Sequence, residues 1–377
     1  MAVQAGSAEQ AGKYAPGTHP DLPPPITSRG AIKWVRENLI ATPTDIVLTI
    51  VSVYLLYLIV PPLVDWMFLE AVVNAGSRDE CRELGGGACW AVVAVRFDQF
   101  MYGFYPVELR WRVDLAAVLL VVALVPVLFD KVPYRKYGVI FTLVYPVIAF
   151  FLLWGGLGLE PVESSKFGGF MLTVVIGVTG IAASLPLGIL LALGRRSDLL
   201  VLKVICVCFI EFIRGVPLIT LLFVASTLLN YFLPPGTYFD LLLRVLIMVT
   251  LFSAAYLAEV IRGGLQAIPK GQTEAAQALG LSYWKNMGLI VLPQALKISI
   301  PGIVNTFIGL YKDTTLVVII GLLDPLGLSQ AVLADSKWQG LSTEIYVFIA
   351  IFFFISCFAM SRYSIYLEKK LETGHKR

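Results

Sequence analysis

The stretch FMLTVVIGVTGIAASLPLGILLAL, from Phe170 to Leu193, decides the fold class of this chain. It contains no charged residue, and it exceeds the roughly 20 apolar residues that an α-helix needs to cross a hydrocarbon core about 30 Å thick. Lipid leaves only helices and closed barrels as spanning structures, and a continuous apolar run is typical of a helix. We therefore expect an integral membrane protein.

The whole chain has the same character. Of its 377 residues, 58% are hydrophobic and 15% are charged, whereas a soluble domain is about half apolar and about a quarter charged. The fold class predicted is an all-α polytopic membrane protein with about eight transmembrane helices. The predicted spans are Ile46–Leu63, Val113–Phe129, Tyr137–Leu153, Phe170–Leu193, Val216–Leu233, Leu241–Leu257, Ile298–Leu323 and Ile345–Met360.

The distribution of basic residues predicts the orientation in the membrane. One set of loops and the C-terminal tail hold most of the lysines and arginines, and the positive-inside rule places that side in the cytoplasm. Both termini are then cytoplasmic, and the long loop from Val64 to Arg112 lies outside. The basic residues of the inner side are Lys131, Arg135, Lys136, Arg195, Arg196, Lys203, Arg214, Arg262, Lys270, Lys285, Lys297, Arg362, Lys369, Lys370, Lys376 and Arg377.

A cluster of Gly, Pro, Glu and Ser from Leu159 to Gly169 predicts a division of the chain. We expect a polar cytoplasmic tail over residues 1–43 and a three-helix extension with a long outer loop over 44–165. A five-helix core follows over 166–370, and residues 371–377 form the C-terminal tail.

The composition argues against several classes of function. The net charge is only +3 and the basic residues are scattered, so no nucleic-acid surface is expected. The only histidines, His19 and His375, lie in polar tails, which argues against a metal site or a histidine base in the membrane. The chain also lacks the Gly-x-x-x-x-Gly-Lys-Ser/Thr phosphate loop. We expect no enzyme activity, no cofactor and no ATP binding.

The loop over residues 262–297 contains a helix–turn–helix pattern, IPKGQTEAAQALGLSYWKNMGLIVLP. A short helix is predicted to start after Pro269 and Gly271, with Glu274 in its first turn, where a carboxylate suits the helix dipole. Gly280 is predicted to end that helix in the left-handed conformation. Ser282 is predicted to cap the next helix.

The 262–297 loop is suited to transmit a displacement from another protein to the membrane spans. Ala275 and Ala276 carry almost no side chain, so that another protein could approach the short helix closely. Because the loop is tethered to a span at each end, a push on the helix would move both spans. The alternative is an ordinary cytoplasmic connector, although loops of this length without a function are uncommon.

The residues of this loop resemble the EAA loop of type I ABC importer permeases. The matching residues are Glu274, Ala275, Ala276, Gly280, Ile290, Leu292 and Pro293. In that family the loop forms a coupling helix that docks in a cleft of the ATP-binding subunit. The resemblance runs from about Gly168 to Lys370. The coupling set predicted here is Glu274, Ala275, Ala276, Gly280, Leu281, Ile290, Leu292 and Pro293.

Further segments resemble the polar amino-acid subfamily of these permeases. They are EFIRGVPL, from Glu211 to Leu218, and KDTTL, from Lys312 to Leu316. The extension is similar to that of the larger permease of broad-specificity L-amino-acid importers. The resemblance implies a permease subunit of the bacterial inner membrane that moves L-amino acids from periplasm to cytoplasm. It also implies three partners, namely an ATPase dimer, a second permease and a periplasmic amino-acid-binding protein.

A stand-alone secondary transporter or channel for small polar solutes is the alternative function. Such proteins usually show internal repeats and ionisable residues on several spans. We find no repeat in this sequence, and nearly all of its charge avoids the spans.

Lys312 and Asp313 are the exception, because they fall near the middle of a predicted span. A charge there costs about 2.5–3.5 kcal/mol, and such residues normally face a bundle interior or a wet cavity. With Thr314 they are predicted to line the substrate pathway, where a cation would meet the carboxylate of an amino acid and an anion its ammonium. The alternative is that they bond to each other or to facing helices. Neighbouring helical residues point about 100° apart, so gripping one substrate needs a break in the helix.

Two other pairs carry predictions. Cys81 and Cys89 lie in the outer loop, where an oxidising compartment favours a disulfide over two free thiols. Glu211 and Arg214 are three residues apart and are predicted to form an ion pair at the cytoplasmic edge. The alternative role for this second pair is a gate contact with the partner permease.

Overall fold

The computed structural model describes residues 30–228, 231, 234 and 239–371, and the elements that it describes are helical. The α-helices are α1 (Gly30–Asn38), α2 (Pro43–Val64), α3 (Arg78–Leu84), α4 (Ala91–Tyr102), α5 (Arg110–Leu128), α6 (Arg135–Trp154), α7 (Gly169–Arg195), α8 (Leu200–Gly215), α9 (Leu218–Phe223), α10 (Leu241–Ala267), α11 (Lys270–Ala278), α12 (Tyr283–Asn286), α13 (Leu292–Asp313), α14 (Pro325–Leu333) and α15 (Ser342–Leu371). Seven of the described helical segments are long and apolar enough to cross a membrane, and the bent pair α8–α9 makes eight if it forms one span. The predicted fold class is confirmed.

The fifth predicted span is wrong at its start. It was expected to begin at Val216, but the structure has helix α8 in place of a loop, followed by α9 at an angle of 104°. Pro217 lies at the break, where its ring forces the preceding residue into an extended conformation (φ −111°, ψ 132°). Lys203 and Glu211 interrupt the apolar run, which is why the sequence suggested a loop. Residues 229, 230, 232 and 233 of the predicted span lie outside the described residues.

The first of two compact units contains the described residues up to Ala71, together with Gly86–Ala88. Helix α2 starts with a capping box, in which the Thr42 hydroxyl accepts the Asp45 N–H at 3.1 Å and the Asp45 carboxylate accepts the Thr42 N–H at 3.0 Å. The helix has no buried residue. An all-round apolar helix of this kind is typical of one that faces lipid. Residues 1–29 of the predicted N-terminal tail lie outside the described residues.

Helix α10 is the centre of the second unit, where it packs against α7, α8 and α13. Glycines allow these helices to approach closely. A Cβ atom added to Gly188 would lie 2.7 Å from the Cβ of Leu257, and one added to Gly264 would lie 2.5 Å from the carbonyl oxygen of Ala295. Such contacts are typical of helix packing in membranes, where small residues replace the hydrophobic effect as the source of association.

The outer segment, which we define as residues 72–85 and 89–105, packs on α14 and on the start of α15. The guanidinium of Arg96 is bonded to the Asp335 carboxylate, and the Arg78 N–H donates to the Lys337 carbonyl at 2.8 Å. The ring of Phe100 lies 5.6 Å from that of Phe348. These contacts attach the outer segment to the part of the chain that follows α13.

A disulfide joins Cys81 to Cys89 within the outer segment, with the two Cα atoms 5.8 Å apart. Both side chains are buried. In freshly isolated membranes we expect a linked peptide on non-reducing mass spectrometry, and resistance of both thiols to alkylation. Replacing both cysteines by serine should destabilise the outer segment by about 2–3 kcal/mol, because a short closed loop is released. Alkylation of Cys208, which is a free and exposed thiol, shows as a control that the alkylating reagent is active. Free, alkylatable thiols at Cys81 and Cys89 would contradict the prediction.

Asp324 caps the N-terminus of α14 and is fully buried. One carboxylate oxygen accepts the Gly327 N–H at 2.9 Å, and the other has no partner among the described residues. Burial raises the pKa of this carboxyl to about 6 from 3.8, although the backbone N–H groups of Gly327 and Leu326 act in the opposite direction. The folded protein therefore binds this proton more tightly than the unfolded chain does.

This buried carboxyl predicts a pH dependence of stability. Its contribution is fully present below pH 3.8 and is lost as the pH rises through about 6. Asn keeps a capping oxygen but does not titrate. As the pH rises from about 4 to 7, the stability of Asp324→Asn in thermal denaturation should therefore increase by about 2–3 kcal/mol relative to the natural chain. Asp335→Asn is the control of opposite sign, because the backbone N–H of Lys337, together with Arg96, lowers the pKa of Asp335. A constant difference between Asp324→Asn and the natural chain would contradict the assignment.

Candidate functional site: the 262–297 loop and its charged base

The short helix of the 262–297 loop, α11, begins at Lys270, directly after Pro269. Proline fixes φ near the helical value and lacks an N–H, so it suits the start of a helix. The predicted start, after Pro269 and Gly271, is therefore two residues too late, and Glu274 does not lie in the first turn as predicted. This residue is the fifth of the helix, and no acidic residue lies in the first turn.

Gly280 has the left-handed conformation that was predicted, with φ +73°. Its N–H donates to the Gln277 carbonyl at 2.9 Å, and the Leu281 N–H donates to the Ala276 carbonyl at 3.1 Å. These bonds satisfy carbonyls that the end of a helix leaves open. Ser282 stands at the cap position of α12 as predicted, but its side chain forms no capping bond.

The two alanines of α11 differ in exposure. Ala275 is exposed, whereas Ala276 is only 1% exposed. The expectation that both alanines leave room for another protein is therefore wrong for Ala276, which faces the rest of the chain because α11 lies against it. Of the other six predicted coupling residues, three are exposed, namely Glu274, Gly280 and Pro293, and three are partly buried, namely Leu281, Ile290 and Leu292.

Large apolar side chains of the loop are exposed beside α11. The exposed fraction is 79% for Leu279, 71% for Trp284 and 72% for Leu289. Most of the charged residues in the 262–297 loop are lysines, and this loop lies on the side predicted to be cytoplasmic. Leu279 lies between the span-length segments Leu241–Ala267 and Tyr283–Ile320, and Trp284 and Leu289 lie in the first two turns of the second. Exposed apolar residues grouped at the end of a span are typical of a protein interaction surface.

A charged cluster lies at the base of this loop and joins α7, α8 and α10. We define it as Arg195, Glu211, Arg214, Glu259 and Arg262. Glu259 is its centre: Arg262 Nε donates to the Glu259 carboxylate at 2.8 Å, and the guanidiniums of Arg195 and Arg214 lie 3.5 and 3.9 Å from it.

The predicted ion pair between Glu211 and Arg214 is wrong. Glu211 accepts a bond of 2.7 Å from Arg195 on α7, and Arg214 lies over the ring of Tyr256, 5.6 Å from its centroid. Helical spacing placed both residues on α8 correctly, but contacts with other helices decide their partners. Glu259 was not predicted from the sequence, although an acidic residue three positions before Arg262 was a usable signal.

The predicted pathway residues lie at a helix break. Helix α13 ends at Asp313, and a tighter 3₁₀ segment, Thr314–Ile320, follows it. The span-length helical segment Tyr283–Ile320 contains both parts, so the predicted span continues past Asp313 as a 3₁₀ helix instead of an α-helix. The hydroxyl of Thr314 bonds back to the Tyr311 carbonyl at 2.8 Å, and that of Thr315 to the Lys312 carbonyl at 2.9 Å. Such bonds offer the backbone an alternative to the helical ladder.

The side chains at this break differ in exposure. Lys312 is exposed, Asp313 is partly buried and Thr314 is fully buried. Neither charged residue forms an ion pair within the part of the chain that the structure describes. In the same part of the chain, no group of three or more His, Cys, Asp or Glu residues could hold a metal ion.

The sequence of this chain is similar to the sequences of known proteins. Residues 184–373 match the family model described as the binding-protein-dependent transport system inner membrane component. The chain is 49% identical to the glutamate/glutamine/aspartate/asparagine transport system permease protein BztC of Rhodobacter capsulatus, over 94% of this chain and 96% of that protein. It is also 49% identical to the inner membrane amino-acid ABC transporter permease protein YhdY of Escherichia coli K12, over 95% and 97% of the two chains.

A shorter relative matches only part of the chain. The probable glutamine ABC transporter permease protein GlnM of Bacillus subtilis is 34% identical over 55% of this chain and 93% of its own length. Two relatives therefore match nearly the whole chain, and a third matches about half of it.

Proposed function

The chain belongs to the inner-membrane component family of binding-protein-dependent transport systems, and we propose that it is the permease subunit of an ABC importer that moves L-amino acids from the periplasm to the cytoplasm. The observation that carries the proposal is the identity of 49% with two amino-acid permeases over at least 94% of this chain. Those relatives are named for transport and not for catalysis. The proposed cargo includes glutamate, glutamine, aspartate and asparagine, which the name of the first relative gives.

We place the protein in the bacterial inner membrane with both termini in the cytoplasm. The family description supports the membrane, and the basic loops support the orientation. The proposed division keeps residues 44–165 as an extension and 166–370 as the permease core. The relative that matches about half of this chain but 93% of its own length supports a core that works without such an extension in other systems.

The 262–297 loop is proposed as the docking site of an ATPase dimer. The chain has no phosphate loop of its own, so the energy for transport must come from a partner. Helix α11 with the exposed Leu279 and Trp284 offers that partner a surface. The charged cluster at its base connects α10, which leads directly into the loop, with α7 and α8. A displacement of α11 would therefore reach three spans.

This role of the charged cluster predicts the effect of Glu259→Gln. The change leaves three arginines without their shared carboxylate, and we expect a loss of about 2–3 kcal/mol in stability and at least a tenfold loss of uptake. Glu211→Gln is the matched control, because its side chain is 53% exposed and its carboxylate is paired, among the described residues, with Arg195 only. Exposed pairs of this kind contribute about 0–1 kcal/mol. Equal effects of both variants on uptake and thermal denaturation would remove the central role of Glu259.

Purification from the native membrane tests the proposed function. We expect the chain to be recovered with an ATPase and a second permease, and the complex to take up labelled amino acids only when ATP and a periplasmic amino-acid-binding protein are supplied. A lone homo-oligomer that transports with an ion gradient and without ATP would overturn the proposal in favour of a secondary transporter or channel.

A further inference from the structure

A cavity of about 430 Å³ lies behind α11, between that helix and the ends of α7 and α10. This volume is in the range of sites for small molecules. Leu193 and Leu265, at the ends of the two spans, form part of the apolar wall of the cavity. Met287, in the segment after α12, also belongs to this apolar wall. The polar residues that line it are Arg196, Lys270, Thr273, Glu274, Gln277, Tyr283 and Asn286.

Asn286 is the polar residue of the wall that is least explained by the fold. It is 5% exposed, and its side-chain oxygen accepts no hydrogen bond from any described residue. Its backbone N–H is satisfied by the Ser282 carbonyl at 2.9 Å. A buried acceptor without a partner in a native structure calls for an explanation, and a ligand with an N–H donor is one.

The charged residues of the same wall have both signs. Arg196, Lys270 and Glu274 are exposed, and none of them forms an ion pair within the described ranges. Two free cations and one free anion around one cavity complement a ligand that also carries both signs. The two basic residues outnumber Glu274 and so favour a ligand with a carboxylate, while Glu274 in addition favours a ligand that also carries a cationic group.

We propose that this cavity binds a free L-α-amino acid from the cytoplasm and that its occupation slows import. Arg196 and Lys270 would meet the carboxylate, while Glu274 and the Asn286 oxygen would accept from the ammonium group. The inference rests on the proposed function, because it takes the cargo as the ligand. A ligand wedged between α11 and the ends of α7 and α10 favours the conformation in which the cavity is open. It therefore opposes any movement of α11 that closes the cavity.

The test uses the complete transporter in liposomes of phosphatidylcholine, with ATP and unlabelled L-glutamine sealed inside and binding protein with labelled L-glutamine outside. We expect internal L-glutamine to lower the initial rate of uptake by about fivefold or more. Asn286→Leu and Arg196→Gln should each abolish this inhibition, and Arg196→Gln, which lies outside the 262–297 loop, should also keep the uninhibited rate. If Asn286→Leu fails to assemble, Arg196→Gln still tests the inference.

Other outcomes overturn the inference separately from the proposed function. Uptake without inhibition, or inhibition that persists in both variants, would remove the site and leave the importer intact. Equal inhibition by 2-oxoglutarate, which lacks the ammonium group, would show an anion site instead. Inhibition that appears only when phosphatidylglycerol is added would assign the cavity to a lipid headgroup. Absence of ATP-dependent amino-acid uptake altogether would overturn the proposed function itself.

Discussion

Gly280→Val is expected to abolish amino-acid uptake while leaving the protein inserted in the membrane. Gly280 ends α11 with φ +73°, a region in which a β-branched residue is strained by about 1–3 kcal/mol. A Cβ atom at this position would meet no other atom within 4 Å, so the substitution changes the backbone preference without causing a clash. The turn that sets the direction of α11 would shift, and the proposed docking of the ATPase would be lost with it.

Two variants make this experiment selective. Gly288→Val is the matched control, because a Cβ atom there also meets nothing within 4 Å and its φ is not positive. Gly280→Asn should retain part of the uptake, since asparagine tolerates the left-handed conformation better than other residues. The measurements are the amount of protein in the membrane, recovery of the ATPase with the permease, and initial uptake. Near-normal uptake by Gly280→Val would remove the coupling assignment.

The number of spans and the turn at Gly280 could be predicted because both depend on local sequence. An apolar run long enough to cross the bilayer has few alternatives to a helix, and a glycine after a short helical pattern is a typical helix end. The bend between α8 and α9 was missed for a related reason. Lys203 and Glu211 lowered the apolarity of α8 locally, although this segment is still helical over 16 residues.

Contacts between helices could not be predicted from spacing. Glu211 and Arg214 lie on one helix as expected, yet their partners are on α7 and α10. Ala276 looked available to another protein, but its exposure depends on how α11 packs against the chain. The same limit applies to the cavity behind α11, since its walls come from segments that are far apart in sequence.

The break after α13 bears on the alternatives for Lys312 and Asp313. A regular helix would point their side chains about 100° apart, but the helix ends at Asp313 and a 3₁₀ segment follows. The structural alternative required ion pairs with each other or with facing helices, and the described residues provide none within 4 Å. A charge of each sign in a span without a partner favours contact with a substrate that is itself a zwitterion.

Asp313→Asn and Lys312→Gln are therefore expected to reduce uptake by at least about tenfold each, equivalent to roughly 1.4 kcal/mol in the transport barrier. Assembly with the partners and basal ATP hydrolysis should remain largely intact, because neither residue lies in the 262–297 loop or the charged cluster. Asn305→Gln is the matched control, since this polar residue is exposed on the same helix and lies outside the loop.

Three measurements on the same preparations decide between the roles of Lys312 and Asp313. They are recovery of the complete complex, basal ATP hydrolysis, and uptake across a range of amino-acid concentrations. Loss of the assembled complex in both variants would favour a structural role, in which the two charges stabilise the helix bundle. Full uptake by both would overturn the pathway assignment. Loss of uptake in an assembled complex that still hydrolyses ATP is the result we expect, because removing either charge removes a contact for one end of the zwitterion.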